Sequence, residues 1–157
     1  MELTTLIDNY LDGPQMLRKA VAGMSQEQLI AHPIPGKWST LEVICHLADF
    51  EIVGADRIKR VIAENEPTLF DGDEKVFAAR LAYHDRNAEE EVLLIETIRK
   101  HVARILRTLM PEDFQRRGVH LGVGPQTLEG FVQARITHVA HHVRFIEEKR
   151  KAIGQGQ

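Results

Sequence analysis

The sequence predicts an all-α protein, a four-helix bundle with a long crossover segment. Apolar residues recur at helical spacing through four long segments, and the alternation typical of strands is nearly absent. Short stretches that contain Pro or Gly separate these segments. The chain has 157 residues, of which 43% are hydrophobic and 27% charged. These values predict a single globular domain over 1–157 and argue against wholesale disorder.

The first long helix is predicted over 3–22, where apolar residues keep the spacing of one helix face. Gly13-Pro14 interrupts this segment, so we expect a kink or a break there. Ser25 is followed three residues later by Gln28, which is the pattern of a capping box. A short helix is therefore predicted to begin at this point and to end near Ile30.

The second long helix is predicted to begin after Trp38, with Ser39 as its N-cap. Glu42 stands three residues after Ser39 and completes a capping box. Apolar residues at helical spacing continue to about Asn65, and Pro67 stops the helix.

The crossover segment over 65–86 is long, so simple up-and-down connectivity with short loops is not expected. A shorter helix is predicted after Asp73 and through Tyr83. The third long helix is predicted over 87–110, and Pro111 ends it.

The fourth long helix is predicted to begin with Thr127 as its N-cap and to run to about Ile153. Immediately before it, the stretch over 118–124 contains Gly122 and is followed by Pro125. This composition predicts a loop.

Composition and charge exclude several classes of protein. Lys and Arg number 20 against 23 for Asp and Glu, and this net charge of −3 argues against a general nucleic-acid binder. The single cysteine, Cys45, can form no internal disulfide and suits a reducing compartment. No signal segment is recognised, and no apolar run reaches the roughly 18 residues of a membrane span. We therefore predict a soluble cytoplasmic protein with neither nucleic acid nor a membrane as partner.

Two histidines of the fourth helix are predicted to face the core together. His138 and His142 are four residues apart, which separates them by only about 40° around a helix. Both fall on the apolar stripe that contains Phe131 and Ile146, whereas His141 falls at its edge.

His46 on the second helix is a third inward candidate, because it shares a stripe with Val43 and Phe50. Three inward imidazoles suit a divalent metal, zinc or nickel before iron or manganese, with a position left open for water or substrate. A single core histidine is usually a structural residue, and a bare His-x-x-x-His pair is weakly specific. The pattern alone therefore leaves a structural explanation open.

Four other residues are candidates for the surroundings of such a site. Glu42 and Asp49 lie about one turn before and after His46, so either carboxylate could orient an imidazole. Arg57 lies on the His46 row and could pair with an anionic substrate, and His141 could act as a base. The alternatives are solvated carboxylates, an arginine in a salt bridge and a surface histidine.

Several short motifs follow one another in a characteristic order over nearly the whole chain. They are Gly36-Lys37-Trp38-Ser39 with Leu41-Glu42-Val43, His46-Leu47-Ala48-Asp49-Phe50-Glu51, the Pro111-Glu112-Asp113 turn and His138-x-x-His141-His142. In their order and spacing the chain resembles the DinB-like superfamily, in the branch of YfiT-like metal-dependent hydrolases and bacillithiol S-transferases.

The resemblance implies a four-helix bundle of the DinB/YfiT-like type with a divalent metal held by His46, His138 and His142. It also implies an enzyme that acts in thiol S-transfer or in hydrolysis of a small molecule, with a low-molecular-weight thiol as one candidate substrate. By the habit of the family, a homodimer is expected. The alternative is a non-catalytic metal- or ligand-binding bundle with a role in stress responses.

Overall fold

Helices dominate the computed structural model, which describes residues 2–155. In chain order they are α1 (Leu3–Val21), α2 (Gln26–Ile30), α3 (Thr40–Ala63), α4 (Glu74–Arg80), α5 (Ala88–Leu106) and α6 (Leu128–Gln155). Two 3₁₀ turns, Tyr83–Asp85 and Pro111–Gln115, lie beside α5. The long helices α1, α3, α5 and α6 form the bundle, so the predicted fold class is confirmed. No helix in the described part of the chain is long and apolar enough to span a membrane.

The four long helices form two diagonal pairs across the core, α1 with α3 and α5 with α6. α1 packs against α5 and α6, and α3 packs against the same two helices, so α1 and α3 lie on one diagonal. Contacts from His46 to His142 and from Arg135 to the carbonyl of Phe50 show that α3 and α6 run antiparallel. This order differs from simple up-and-down connectivity, as the long crossover segment predicted.

Side-chain caps define three helix starts where the sequence predicts them. The Ser25 and Ser39 hydroxyls each accept a hydrogen bond from the backbone N–H three residues on. The Thr127 hydroxyl accepts one from Gly130 N at 3.1 Å. The ends are less well predicted, because the helix expected through Tyr83 stops at Arg80. Ala82 follows with a φ of 50°, a left-handed conformation that cannot continue a helix.

Of the kink or break expected at Gly13-Pro14, the break is wrong, because α1 passes through both residues without interruption. Both are buried in the bundle. The small size of Gly13 has a specific use, since a Cβ atom there would lie 2.1 Å from Nη1 of Arg99. Gly13 therefore leaves the room that the Arg99 guanidinium of α5 occupies beside α1.

A small sheet stands where the sequence predicted a loop. It consists of β1 (Thr68–Leu69), β2 (Arg117–His120) and β3 (Gly124–Thr127), in the order β1-β2-β3. β2 pairs in parallel with β1 and antiparallel with β3, where Val119 lies opposite Pro125. The loop prediction for 118–124 holds only for the turn at 121–123, because such short strands carry too little alternation to be recognised. Pairing with the distant crossover segment defines them instead.

A layer of buried polar side chains divides the core into two apolar halves. One half includes Leu6 and Ile58, and the other includes Leu17 and Ile44. Between these halves, each long helix places one residue in the layer. They are Gly13 of α1, Glu51 of α3, Arg99 of α5 and Arg135 of α6.

Arg99 connects all four long helices in this layer. Its guanidinium donates to Glu51 Oε2 at 2.7 Å, to the Tyr10 carbonyl at 2.7 Å and to the Arg135 carbonyl at 3.0 Å. The Tyr10 hydroxyl donates to the other oxygen of Glu51 at 2.8 Å. Arg99 and Glu51 are 0% and 1% exposed, so water cannot replace these bonds. The layer therefore fixes the relative heights of the helices, including α3 and α6.

Replacing Ser39 with Ala should destabilise the protein by about 1 kcal/mol, the usual value of an N-cap. The mutation removes the hydroxyl that accepts from Glu42 N at 3.1 Å, at a position that is 2% exposed. Urea unfolding followed by circular dichroism measures the change. Ser25→Ala, which removes the same kind of cap from the exposed helix α2, is the control. Equal effects of the two mutations would contradict the expectation that α3 depends on its cap.

Candidate metal centre

Three histidines from two helices converge at one end of the polar layer. They are His46 of α3 and the pair His138 and His142 of α6. One ring nitrogen from each lies within 4.8 Å of the other two. Nε2 of His46 is 3.0 Å from Nε2 of His138, and the ring centroids of His46 and His142 are 4.7 Å apart. The structure thus brings together the three histidines that helical rotation selects.

Aromatic rings enclose this cluster. The rings of Trp38 and Phe50 lie 5.1 Å and 4.7 Å from the His46 ring, centroid to centroid. His46 is 1% exposed and His142 is 7% exposed. Water is therefore excluded from most of the imidazole surface.

Burial keeps the three imidazoles in their neutral form. It lowers the pKa of His46 to about 4, with a further contribution from the Arg135 guanidinium. Burial and the same guanidinium lower the pKa of His138 to about 2. Burial, with repulsion from His46 next, lowers the pKa of His142 to about 3. At neutral pH each ring can therefore offer an uncharged nitrogen, the form that binds metals.

The Nδ1 atoms of all three rings are buried and have no hydrogen-bond partner among the described residues. A buried polar nitrogen is normally satisfied, and leaving several unsatisfied in one place is costly. The Nε2 atoms of His46 and His138 face each other at 3.0 Å, and such converging neutral imidazoles fit a divalent cation that prefers nitrogen ligands. The residues present are thus suited to hold such an ion with three protein ligands.

The two carboxylates that were candidates to orient His46 have other partners. Asp49 accepts two hydrogen bonds from Arg86, each 3.0 Å long. The Glu42 carboxylate accepts a hydrogen bond from the backbone N–H of Ser39 at 2.7 Å. The same carboxylate lies 2.9 Å from Nε2 of His32. In the structure both carboxylates stabilise the ends of helices and loops, and neither is hydrogen-bonded to an imidazole of the cluster.

The remaining two candidates also lie to the side of the cluster. Arg57 donates to the Phe70 carbonyl at 2.6 Å and lies 3.6 Å from Asp71, so it holds the crossover segment. His141 is exposed on α6, with its ring centroid 5.3 Å from that of His142. Its edge position is the one that helical rotation predicts.

Two charged residues near the cluster were missed from the sequence. Glu74, at the start of α4, places Oε2 at 4.0 Å from Nε2 of His46. No local pattern marks it, because only the path of the crossover segment brings it there. Arg135 lies three residues before His138, and this helical spacing was a signal that could have identified it.

Two openings reach the histidines from outside. A cavity of about 400 Å³ lies beside His142 between α6 and the segment before α3. Its lining includes Trp38, Phe145, Lys37 and Lys149. A wider groove of about 730 Å³ follows α6 past His138. The cluster is therefore buried but can be approached by a small molecule.

Comparison with known proteins assigns this arrangement to a family. The sequence profile of the DinB superfamily matches residues 10–146. A protein of Oceanobacillus iheyensis is 31% identical over 157 residues, covering 96% of this chain and 91% of its own length. A protein of Bacillus licheniformis is 27% identical over 154 residues, covering 98% and 88%. Both relatives carry a provisional name, metal-dependent hydrolase.

Solved structures show the same fold. YfiT from Bacillus subtilis superposes with a TM-score of 0.90 at 25% identity, covering 98% of this chain and 88% of its own. It is described, provisionally, as a metal-dependent hydrolase with an unusual four-helix bundle topology. The mycothiol-dependent maleylpyruvate isomerase has a TM-score of 0.71 at 13% identity, covering 91% and 60%, which shows a shared fold alone.

Proposed function

This chain belongs to the DinB superfamily, and from that premise we propose that it is an enzyme that uses a divalent metal held by His46, His138 and His142. The observation that carries the proposal is the convergence of three neutral imidazoles, with one ring nitrogen of each within 4.8 Å of the other two. The names of the relatives support the same chemistry.

A divalent cation at this position would supply Lewis acidity, which lowers the pKa of a bound water or thiol. The protein supplies the surroundings. Trp38 and Phe50 shield one side of the cluster from water, while burial, with the Arg135 guanidinium next, lowers the pKa of His138 and keeps it available as a ligand. Zinc or nickel suits the three imidazoles best, and iron or manganese is accepted by the same donors.

The proposed reaction is hydrolysis of a small molecule, in line with the names of the relatives. Transfer of a low-molecular-weight thiol to an electrophile is the second candidate, and it rests on the family resemblance of the sequence. Either reaction releases a proton near the cluster. Glu74, with its carboxylate oxygen 4.0 Å from Nε2 of His46, is placed to accept it.

Metal content tests the proposed ligands directly. Protein purified without a His-tag and supplied with metal should contain about one divalent ion per chain. His46→Ala, His138→Ala and His142→Ala should each lose most of it, because two imidazoles bind far more weakly than three. His141→Ala, the control on the same helix, should keep it. Wild-type protein without metal after reconstitution would overturn the proposal.

A non-catalytic metal-binding bundle is the competing function, and the same protein can distinguish it. When cobalt(II) is substituted at an open site, added imidazole or thiol should change the visible spectrum because it occupies a free position. A spectrum insensitive to both ligands would favour a closed, structural site. A cytoplasmic location and a homodimer complete the proposal, and both come from the sequence and the family resemblance.

A further inference from the structure

Lys149 of α6 is a charged residue buried beside the candidate metal centre. Its relative exposure is 3%, and it lies seven residues, or about two turns, after His142. Its ammonium nitrogen donates to the Phe145 carbonyl at 3.2 Å and lies 5.8 Å from the centre of the Phe145 ring. Both contacts are with its own helix.

Lys149 differs in this respect from the other deeply buried cation. Arg99 is paired with Glu51 at 2.7 Å, whereas no carboxylate of the described residues lies within 4.0 Å of the Lys149 ammonium. Glu42 and Glu148 act on it only at longer range. Lysine is rarely buried without a paired charge, so the position calls for an anion from outside the chain.

Lys149 lines the cavity beside His142. The cavity measures about 400 Å³, which suits a small molecule. Trp38, Phe145 and Ile34 provide apolar walls. The charged residues of its lining are Lys37, Lys75, Lys149, Glu74 and Glu148.

The distribution of these charges favours an anionic ligand. Glu74 places Oε2 4.0 Å from Nε2 of His46, and Glu148 is exposed and can turn its carboxylate toward water. Lys149 cannot, because it is buried, and Lys37 adds a second positive charge near it. Lys149 is therefore the buried charge of this cavity that lacks a carboxylate partner among the described residues, and the walls beside it are aromatic.

We propose that this cavity binds a small molecule with an anionic group, which Lys149 and Lys37 hold while its apolar part packs against Trp38 and Phe145. That this molecule is the substrate rests on the proposed function. With its anionic group at Lys149, the opposite end of the molecule would face His142 and the proposed metal. The anion site itself requires no metal.

Trp38 allows a direct measurement, because it is the only tryptophan of the chain and lines the cavity. The probes are phenylacetate, which combines an anion with an aromatic ring, and phenylacetamide, its neutral analogue. Titration followed by Trp38 fluorescence should show phenylacetate binding about tenfold more tightly than phenylacetamide, since a charged hydrogen bond is lost in the amide.

Lys149→Met should remove most of the preference for phenylacetate over phenylacetamide and leave the affinity for phenylacetamide unchanged. Lys151→Met, an exposed lysine on the same helix, is the matched control and should behave as wild type. Lys37→Met should also weaken the binding of phenylacetate. Because Lys37 is exposed, this variant is expected to fold as wild type does.

The titration is made on the protein as purified and again after chelation, which separates this proposal from the metal site. Selective phenylacetate binding that survives chelation and depends on Lys149 supports the anion site even if the proposed metal function fails. Equal affinity for the two probes would overturn it. Binding that is lost on chelation and unaffected by Lys149→Met would place the carboxylate on the metal, and would also overturn it.

Discussion

Glu51→Ala is expected to lower the free energy of unfolding by about 3–5 kcal/mol, the usual cost of leaving one member of a buried ion pair alone. The mutation strands the Arg99 guanidinium at a position that is 0% exposed, and it removes the acceptor of the Tyr10 hydroxyl. Urea unfolding at neutral pH, followed by circular dichroism, gives the free energy.

Two variants control this measurement. Asp8→Ala breaks an exposed ion pair with Arg107, whose nitrogen lies 3.2 Å from the carboxylate, and should cost less than about 1 kcal/mol. The double variant Glu51→Leu with Arg99→Met removes both buried charges and should be more stable than Glu51→Ala alone. If Glu51→Ala cost no more than Asp8→Ala, the polar layer would not have the structural role assigned to it.

The metal-free protein should lose about 3–4 kcal/mol of stability when the pH falls from 7 to 5.5. In the folded protein the pKa values of His46, His138 and His142 are about 4, 2 and 3. In the unfolded chain each returns to about 6.5. Between these values the unfolded chain binds more protons, so acid favours unfolding. Each histidine contributes about 1 kcal/mol over this interval, and the contribution is complete only above about pH 6.5.

Urea unfolding in the presence of a chelator, at pH 7 and at pH 5.5, measures the loss. In the triple variant His46→Asn, His138→Asn and His142→Asn, the loss of unfolding free energy between pH 7 and pH 5.5 should be smaller than in wild type by about 3–4 kcal/mol. His101→Asn, which changes an exposed histidine of α5, should retain the wild-type dependence. The same acid sensitivity in the triple variant would show that other groups cause it.

Local geometry explains what was predictable about the candidate site. His138 and His142 had to share a face because the α-helical period is fixed, and the apolar stripe showed that this face is inward. His46 was identified in the same way on α3. Family resemblance pointed to the same three residues, and in the structure one ring nitrogen of each lies within 4.8 Å of the others.

Partners across the fold were not predictable in this way. Asp49 stands one turn from His46, yet its carboxylate binds Arg86, a residue of the crossover region. Arg57 shares a row with His46, yet it holds the Phe70 carbonyl. Which partner a charged side chain finds depends on the route of distant segments, and helical spacing carries no information about that route.

The amino-acid sequence therefore predicts the helical character of this protein, the starts of its helices and the inward direction of its three central histidines. These features depend on hydrogen bonds and rotations within a few residues. The diagonal order of the helices and the pairing of β1 with β2 are visible only in the folded protein, as are the approach of Glu74 and the isolation of Lys149 beside a cavity. Those features arise where segments far apart in the chain pack together, and packing is a property of the whole core.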